Sequence, residues 1–267
     1  MAQKDYSKIA AEKITRPSQM KIMPKFLIYG RNKKGKTTFG ISAGVDQTLV
    51  LDPELGTSQM LDKDPNVWPI TQWEDIDDAY MYLRSGKHPY KWVCVDGLTK
   101  MSNMALNYVM RVEEEKSLAR QPGMVQQRDY GKAGELVKAM LNNFYNLHTI
   151  GVIFTAQERM IEGVDSEEDE DAEEAPAMYV PDLPKGARAA ANSIVDVIAR
   201  IYTVKIMDED PEKPAKTQRR LWLADSNKYD TGYRSDYSLP PMLKMPTVPK
   251  LVRLIQEGRA LPAKPKR

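Results

Sequence analysis

Phe26-Leu27-Ile28-Tyr29-Gly30-Arg31-Asn32-Lys33-Lys34-Gly35-Lys36-Thr37-Thr38 is the stretch that decides the fold. Its four leading apolar residues read as a buried strand. The strand runs into a loop bounded by Gly30 and Gly35 and closed by Lys36 and Thr37, the G-x-x-x-x-G-K-[ST] pattern of a phosphate cradle. Glycines at those two places let the backbone turn its N–H groups inward onto phosphate oxygens. Residues 30–38 as a whole, with Arg31, Asn32, Lys33 and Lys34 between the glycines and Thr38 after Thr37, form the expected nucleotide-binding stretch. Lys36 is expected to reach the β- and γ-phosphates, and the Thr37 hydroxyl to hold Mg²⁺. A helix beginning at Lys36 presents its positive end to the same anion. ATP and Mg²⁺ are therefore the expected cofactors.

Outward from this stretch, strands alternate with helices. Strands are expected at 26–29, 48–51, 67–70, 92–95 and 150–155, and helices at 36–43, 76–84, 100–115 and 130–147. In the last of these Leu136, Met140, Leu141, Phe144 and Leu147 recur at helical spacing, as core residues do. Such alternation predicts an α/β fold, a mostly parallel sheet flanked by helices on both faces. Residues 197–206 and 219–225 are rich in β-formers and flank a turn region at 208–216. They predict a C-terminal antiparallel hairpin added to the sheet edge. Short helices follow at 187–193 and 248–257, the latter stopped by Gly258. The domain is expected to cover 23–258, between a basic arm at 1–22 with little periodicity and a basic tail at 259–267. Residues 159–184 break the pattern and read as an acidic mobile loop.

Composition narrows the class. The chain has 267 residues, 42% of them apolar and 28% charged, as in a globular protein. No apolar run approaches a membrane span, and the start lacks the apolar core of a signal peptide. A single cysteine, Cys94, rules out an internal disulfide framework. A cytoplasmic location and no membrane partner are the resulting expectations. The net charge of +2 hides an asymmetry, because nine of the 37 acids lie in 162–174; without them 39 bases face 28 acids, a balance of +11. A basic body of this kind suits a polyanionic partner.

The cradle needs an acid on a second buried strand. Trp92-Val93-Cys94-Val95-Asp96 supplies one, with Asp96 at the carboxyl end, where ligands of such sheets bind and where it would orient Mg²⁺ with Thr37. Gly97 follows Asp96, so the water-activating acid must come from elsewhere. Glu54, just past the second strand in Asp52-Pro53-Glu54-Leu55-Gly56, is the candidate. Gln157, in Phe154-Thr155-Ala156-Gln157, ends another strand and is placed to sense the γ-phosphate.

Together with Gln127-Arg128-Asp129-Tyr130-Gly131-Lys132 and Asn227-Lys228-Tyr229-Asp230-Thr231-Gly232-Tyr233-Arg234, these motifs resemble the RecA-like P-loop ATPases, most closely the phage-type single-strand annealing and recombination ATPases. The resemblance runs over roughly 22–258. It implies a RecA-like P-loop NTPase core with DNA-stimulated ATP hydrolysis, binding of single-stranded DNA, assembly into a ring or filament of like subunits, and dealings with a single-strand-binding protein. A phage-encoded member would work in the cytoplasm of a bacterial host. The resemblance makes Lys36, Glu54 and Gln157 the catalytic set, and suggests that Lys228 and Arg234 reach a neighbour's γ-phosphate. For DNA, the cations Arg120, Arg128 and Lys132 in the connection 116–132, and Arg159 beside the acidic loop, are the candidate contacts. Two other functions fit the same cradle: a nucleotide-gated binding module with little turnover, and a small-molecule kinase, for which no lid with paired arginines is evident.

Overall fold

Five short runs of apolar sequence become strands buried along nearly their whole length, which happens only when both faces of a sheet are covered. They are β1 (Lys25–Tyr29), β2 (Thr48–Asp52), β3 (Asn66–Pro69), β4 (Trp92–Asp96) and β5 (Gly151–Ala156), with β3 the exception, half exposed at the sheet edge. The computed structural model describes residues 5–16, 19–20, 22–117, 119–162, 177–207 and 214–258. Later strands are β6 (Glu158–Ile161), β7 (Met178–Pro181), β8 (Val197–Ile206), β9 (Lys216–Trp222), β10 (Gly232–Tyr233) and β11 (Met242–Lys244). The helices are α1 (Tyr6–Lys13), α2 (Lys36–Ile41), α3 (Glu74–Arg84), α4 (Leu98–Lys116), α5 (Gln127–Tyr145), α6 (Lys185–Ile194) and α7 (Val248–Glu257).

The main sheet runs β11-β9-β8-β1-β5-β4-β2-β3, with β10 pairing the start of β8. From β8 to β3 the pairs are parallel, and β9, β10 and β11 add antiparallel strands at one side. The fold is thus the expected α/β type with a mostly parallel sheet and an antiparallel hairpin, β8–β9, whose second strand starts three residues before the expected 219. One face of the sheet is covered by α3, α4, α5 and α6, around residues such as Leu27, Val95, Leu98, Met140 and Phe154. The other lies under α2 and α7, around Phe26, Ile28, Phe39, Ile153, Leu221 and Leu251.

Local chemistry sets the helix ends. Acids Glu74, Asp75 and Asp77 occupy the first turn of α3 and Arg84 its last, matching the helix dipole. Gln126 and Asp129 form a reciprocal capping box at the start of α5. Thr247 caps α7, and Gly258 closes it in the left-handed conformation, its N–H donating to the Leu254 carbonyl.

Beyond the unexpected short strands β10 and β11, two segments differ from expectation. Residues 6–13, within the expected arm, form a helix because the Asp5 carboxylate accepts from the Ser7 and Lys8 N–H groups; that helix buries no residue. The segment 159–184, expected as a loop throughout, has ordered ends. Arg159 pairs with Val180 and Ile161 with Met178 in a two-stranded antiparallel ribbon. The acidic centre, 163–176, and the basic tail, 259–267, lie outside the described residues.

Candidate nucleotide site

The phosphate loop leaves β1 at Tyr29, wedged against the neighbouring strand. A Cβ on Gly30 would lie 2.3 Å from the Ile201 carbonyl oxygen of β8, so only glycine lets the two backbones meet there. Gly35 has φ 92° and stands as the residue before α2; its would-be Cβ lies 2.5 Å from Nε of Arg219. The Arg219 side chain therefore lies directly over the loop. Lys36 Nζ turns back onto the loop, donating to the carbonyls of Gly30 (2.9 Å) and Arg31 (3.1 Å). Burial lowers the Lys36 pKa, while Asp96, Glu54 and Glu158 act to hold its charge. Of the remaining loop residues, Asn32 and Lys33 are exposed, and Lys34 donates to the Thr203 hydroxyl at 3.1 Å.

Strand order brings Asp96 to Thr37. Strand β5 lies between β1 and β4, and Asp96 is in register with Thr155. The Thr37 hydroxyl donates to Asp96 Oδ2 at 2.6 Å, and the Thr155 hydroxyl to Oδ1 at 2.7 Å. Burial pushes the Asp96 carboxyl above its ordinary range, against the pull of these two hydroxyls. One hydroxyl and one carboxylate are hard oxygen donors. They fit Mg²⁺ that keeps its remaining positions for water and phosphate, rather than a cage built by protein alone. Among the described residues no cluster of three or more Asp, Glu, His or Cys forms such a cage.

Glu54 is set by its neighbour. The buried Asp52 carboxylate accepts from the N–H of Glu54 (3.0 Å), from the N–H of Thr57 (2.9 Å) and from the Thr57 hydroxyl (2.6 Å). This knot fixes the turn after β2 and directs exposed Glu54 toward Gly97, whose would-be Cβ lies 3.8 Å from Glu54 Oε1. Gln157 is clamped through its backbone. Its N–H donates to the Thr99 hydroxyl (3.1 Å), that hydroxyl donates to the Asp182 carbonyl (2.9 Å), and the Asp182 N–H donates back to the Gln157 carbonyl (2.8 Å).

Sequence reasoning missed the neighbour of Gln157. The Glu158 side chain is only 4% exposed and joins two arginines: Arg31 of the loop at 3.2 Å, and Arg200 of β8 through Nε at 2.7 Å and Nη2 at 3.2 Å. Such long-range pairing leaves no local signal. Thr155 and Arg219 were missed for the same reason, being placed by register and by strand packing.

The candidate DNA contacts divide. Arg120 is a correction: its guanidinium is buried and pairs with the equally buried Asp129 through two hydrogen bonds, so it braces the α4–α5 connection and presents nothing to a polyanion. Lys132 is exposed but held by Glu113 at 2.8 Å; Arg159 lies 3.8 Å from Asp182; Arg128 is exposed. Lys228 and Arg234 do not come together. Lys228 is exposed in the segment leading to Tyr229. Arg234 is pinned at the amino end of β8, where its N–H donates to Asp196 (2.7 Å) and its guanidinium to the Ser193 carbonyl. That is the end of the sheet opposite the phosphate loop.

Beside Thr38 a cavity of about 470 Å³ opens between α2 and the approach to α7, lined among others by Ile41, Val45, Arg219, Met245 and Lys250. No helix among the described residues is long and apolar enough to cross a membrane.

The family model described as an AAA domain matches residues 23–235. No curated relative matches the sequence. Similar solved structures include the flagellar accessory protein FlaH from Methanocaldococcus jannaschii, at 9% identity over 83% of this chain and 84% of that one, TM-score 0.35. They also include the RadB recombinase, at 13% identity over 75% and 81%, TM-score 0.39. The pCW3 conjugation coupling protein TcpA matches at 12% identity over 68% of this chain and 49% of its own, TM-score 0.35. With the family model spanning most of the sequence and the phosphate loop, Thr37 and Asp96 joined at one strand end, the chain belongs to this AAA-domain family of P-loop proteins.

Proposed function

We propose that this protein is a RecA-like ATPase that binds Mg·ATP, hydrolyses it, and works on single-stranded DNA as an assembly of like subunits in annealing or recombination. The observation that carries the nucleotide part is the Thr37–Asp96–Thr155 constellation beneath the loop, with Glu54 across from it. In this reading, Lys36 exchanges the Gly30 and Arg31 carbonyls for phosphate oxygens. The cavity beside Thr38, with Arg219 in its lining, receives the base and ribose. Bound Mg²⁺ would offset charge on the β- and γ-phosphates, held by Thr37 and Asp96. Glu54 takes a proton from the attacking water, and the clamped Gln157 backbone carries the state of the site to the β6–β7 ribbon. The basic body supports a polyanionic partner.

The test is ATP turnover with and without single-stranded DNA, for the wild type and for Glu54→Gln. Glu54→Gln is expected to keep ATP binding and lose about 10²- to 10⁴-fold in turnover, the usual contribution of a general base. Full turnover in that variant removes Glu54 from the role. A second reading, a nucleotide-gated binding module with little hydrolysis, is favoured by Gly97 standing directly after Asp96; it predicts turnover indifferent to DNA.

A further inference from the structure

Strand alternation gives β8, β9 and β11 two unlike faces. Ile201, Leu221 and Leu243 are in mutual register and enter the core under α2 and α7. The opposite face carries Arg200 and Tyr202 on β8, Arg220 and Trp222 on β9, and Lys244 on β11. Its cross-strand pairs include Arg200 with Trp222, Trp222 with Met242, Tyr202 with Arg220, and Arg220 with Lys244. Nearer β1 the same face is buried at Ile198; beyond it no side chain of this face is fully buried, and Lys244 is exposed.

The rings there are organised around a cation. The Arg200 guanidinium lies 4.7 Å from the ring centre of Tyr229 and 5.7 Å from that of Tyr202; Trp222 meets Tyr229 edge-on at 5.9 Å. Among the described residues of β8, β9 and β11 that point to this face, none is acidic. Glu158, behind Arg200, is already occupied by two arginines. Half-exposed rings beside Arg220, whose Nε donates to the neutral Gln218, and exposed Lys244 offer π-faces and phosphate contacts together, which is what a splayed single strand needs and a stacked duplex does not present.

We propose that this sheet face is a stacking platform for single-stranded nucleic acid, with Tyr202 and Trp222 receiving bases and Arg220 and Lys244 meeting phosphates. The proposal deepens the DNA reading above and rests on it. It also replaces the connection 116–132 as the main contact surface, since Arg120 is buried and Lys132 is paired.

The experiment measures fluorescence anisotropy of a dye-labelled oligothymidylate against the full chain across a salt series. Trp222→Ala is expected to weaken binding about 5- to 150-fold, the range for losing one stacked base, and Trp222→Phe to restore most of it. Arg220→Gln and Lys244→Gln, which leave the core untouched, are each expected to lower the slope of log affinity against log salt by about 0.7. Turnover without DNA and the thermal midpoint of the two glutamine variants should match the wild type. If the wild type binds the oligonucleotide and all four variants bind it equally well, the platform is wrong while the DNA reading stands. If the wild type fails to bind at low salt, both fall. If the variants leave binding intact but change the sedimentation of the protein, the face joins copies of this chain and the platform is likewise overturned.

Discussion

Lys25 opens β1 and is buried, with its Nζ donating to the carbonyls of Met23 (3.1 Å), Leu147 (3.0 Å) and Ile150 (2.6 Å). Burial lowers its pKa from 10.5 to about 8, although Asp196 pulls the other way. An amine whose folded value lies below its unfolded value holds fewer protons when folded over that interval, so its contribution makes stability rise with pH between about 8 and 10.5. The full interval is worth about 3 kcal/mol, and the part between pH 7 and pH 9 about 1.3 kcal/mol. In a chain of this size that is about 3–5 °C in Tm. The buried Cys94 thiol, raised well above its ordinary value, acts oppositely: it keeps its proton when folded, and its contribution falls as pH passes through 9. Lys25→Met keeps the side-chain volume and removes the titration, so the difference between wild type and variant isolates Lys25. Denaturant unfolding at pH 7, 8 and 9 should show that difference growing in favour of the wild type by about 1.3 kcal/mol. Mg·ATP affinity should not change, because β1 separates Lys25 from the phosphate loop. A flat difference would mean that three carbonyl acceptors hold the ammonium as firmly as water does, and would refute the reasoning.

Two further outcomes follow from close contacts. A Cβ on Gly40 would lie 2.4 Å from the Cys94 sulfur, so Gly40→Ala should lift α2 from β4 at a cost of about 1–3 kcal/mol in denaturant unfolding, and Cys94→Ala should recover much of it. Arg120→Met should lower Tm by stranding the Asp129 carboxylate in the interior, adding Asp129→Leu should recover part of the loss, and neither should alter affinity for an oligonucleotide.

The parallel strands were legible because sheets covered on both faces need unbroken apolar runs, as in Phe26–Tyr29 and Trp92–Val95. The phosphate loop was legible because its glycines are required by the backbone, Gly30 by contact with the Ile201 carbonyl and Gly35 by its φ of 92°. What joins distant residues was not. The insertion of β5 between β1 and β4, which lets Thr155 share Asp96 with Thr37, is a matter of strand order that no local pattern records. Arg120 read as a surface cation because its partner is identified only by the turn that brings Asp129 back to it. The β6–β7 ribbon was hidden by averaging: the acids of its centre dominate the composition, while Met178-Tyr179-Val180 at its return carries the β-forming residues.

The charges around Lys36 bear on how nucleotide must arrive. Before ligand binds, Asp96, Glu54 and Glu158 already offset the loop lysine, and Glu158 also takes up Arg31. A bare triphosphate entering this site meets carboxylates as well as Lys36, and two like charges at about 4 Å repel by roughly 1–4 kcal/mol in surroundings of intermediate dielectric. In the proposed reading Thr37 and Asp96 would hold a divalent ion, which would offset that repulsion and make Asp96 a partner of the nucleotide rather than an opponent. Chelating Mg²⁺ should therefore weaken nucleotide binding in the wild type. Asp96→Asn should change both arms in opposite senses: Mg·ATP weaker by about 10- to 100-fold, the usual cost of disturbing a metal's supporting groups, and metal-free ATP stronger than in the wild type. Because burial holds the Asp96 carboxyl above its ordinary range, the same substitution should also raise the thermal midpoint of the empty protein. Isothermal titration with and without chelator reads both arms. A variant that loses affinity equally in the two conditions would show that Asp96 shapes the loop through its Thr37 and Thr155 hydrogen bonds and has no part in holding the ion.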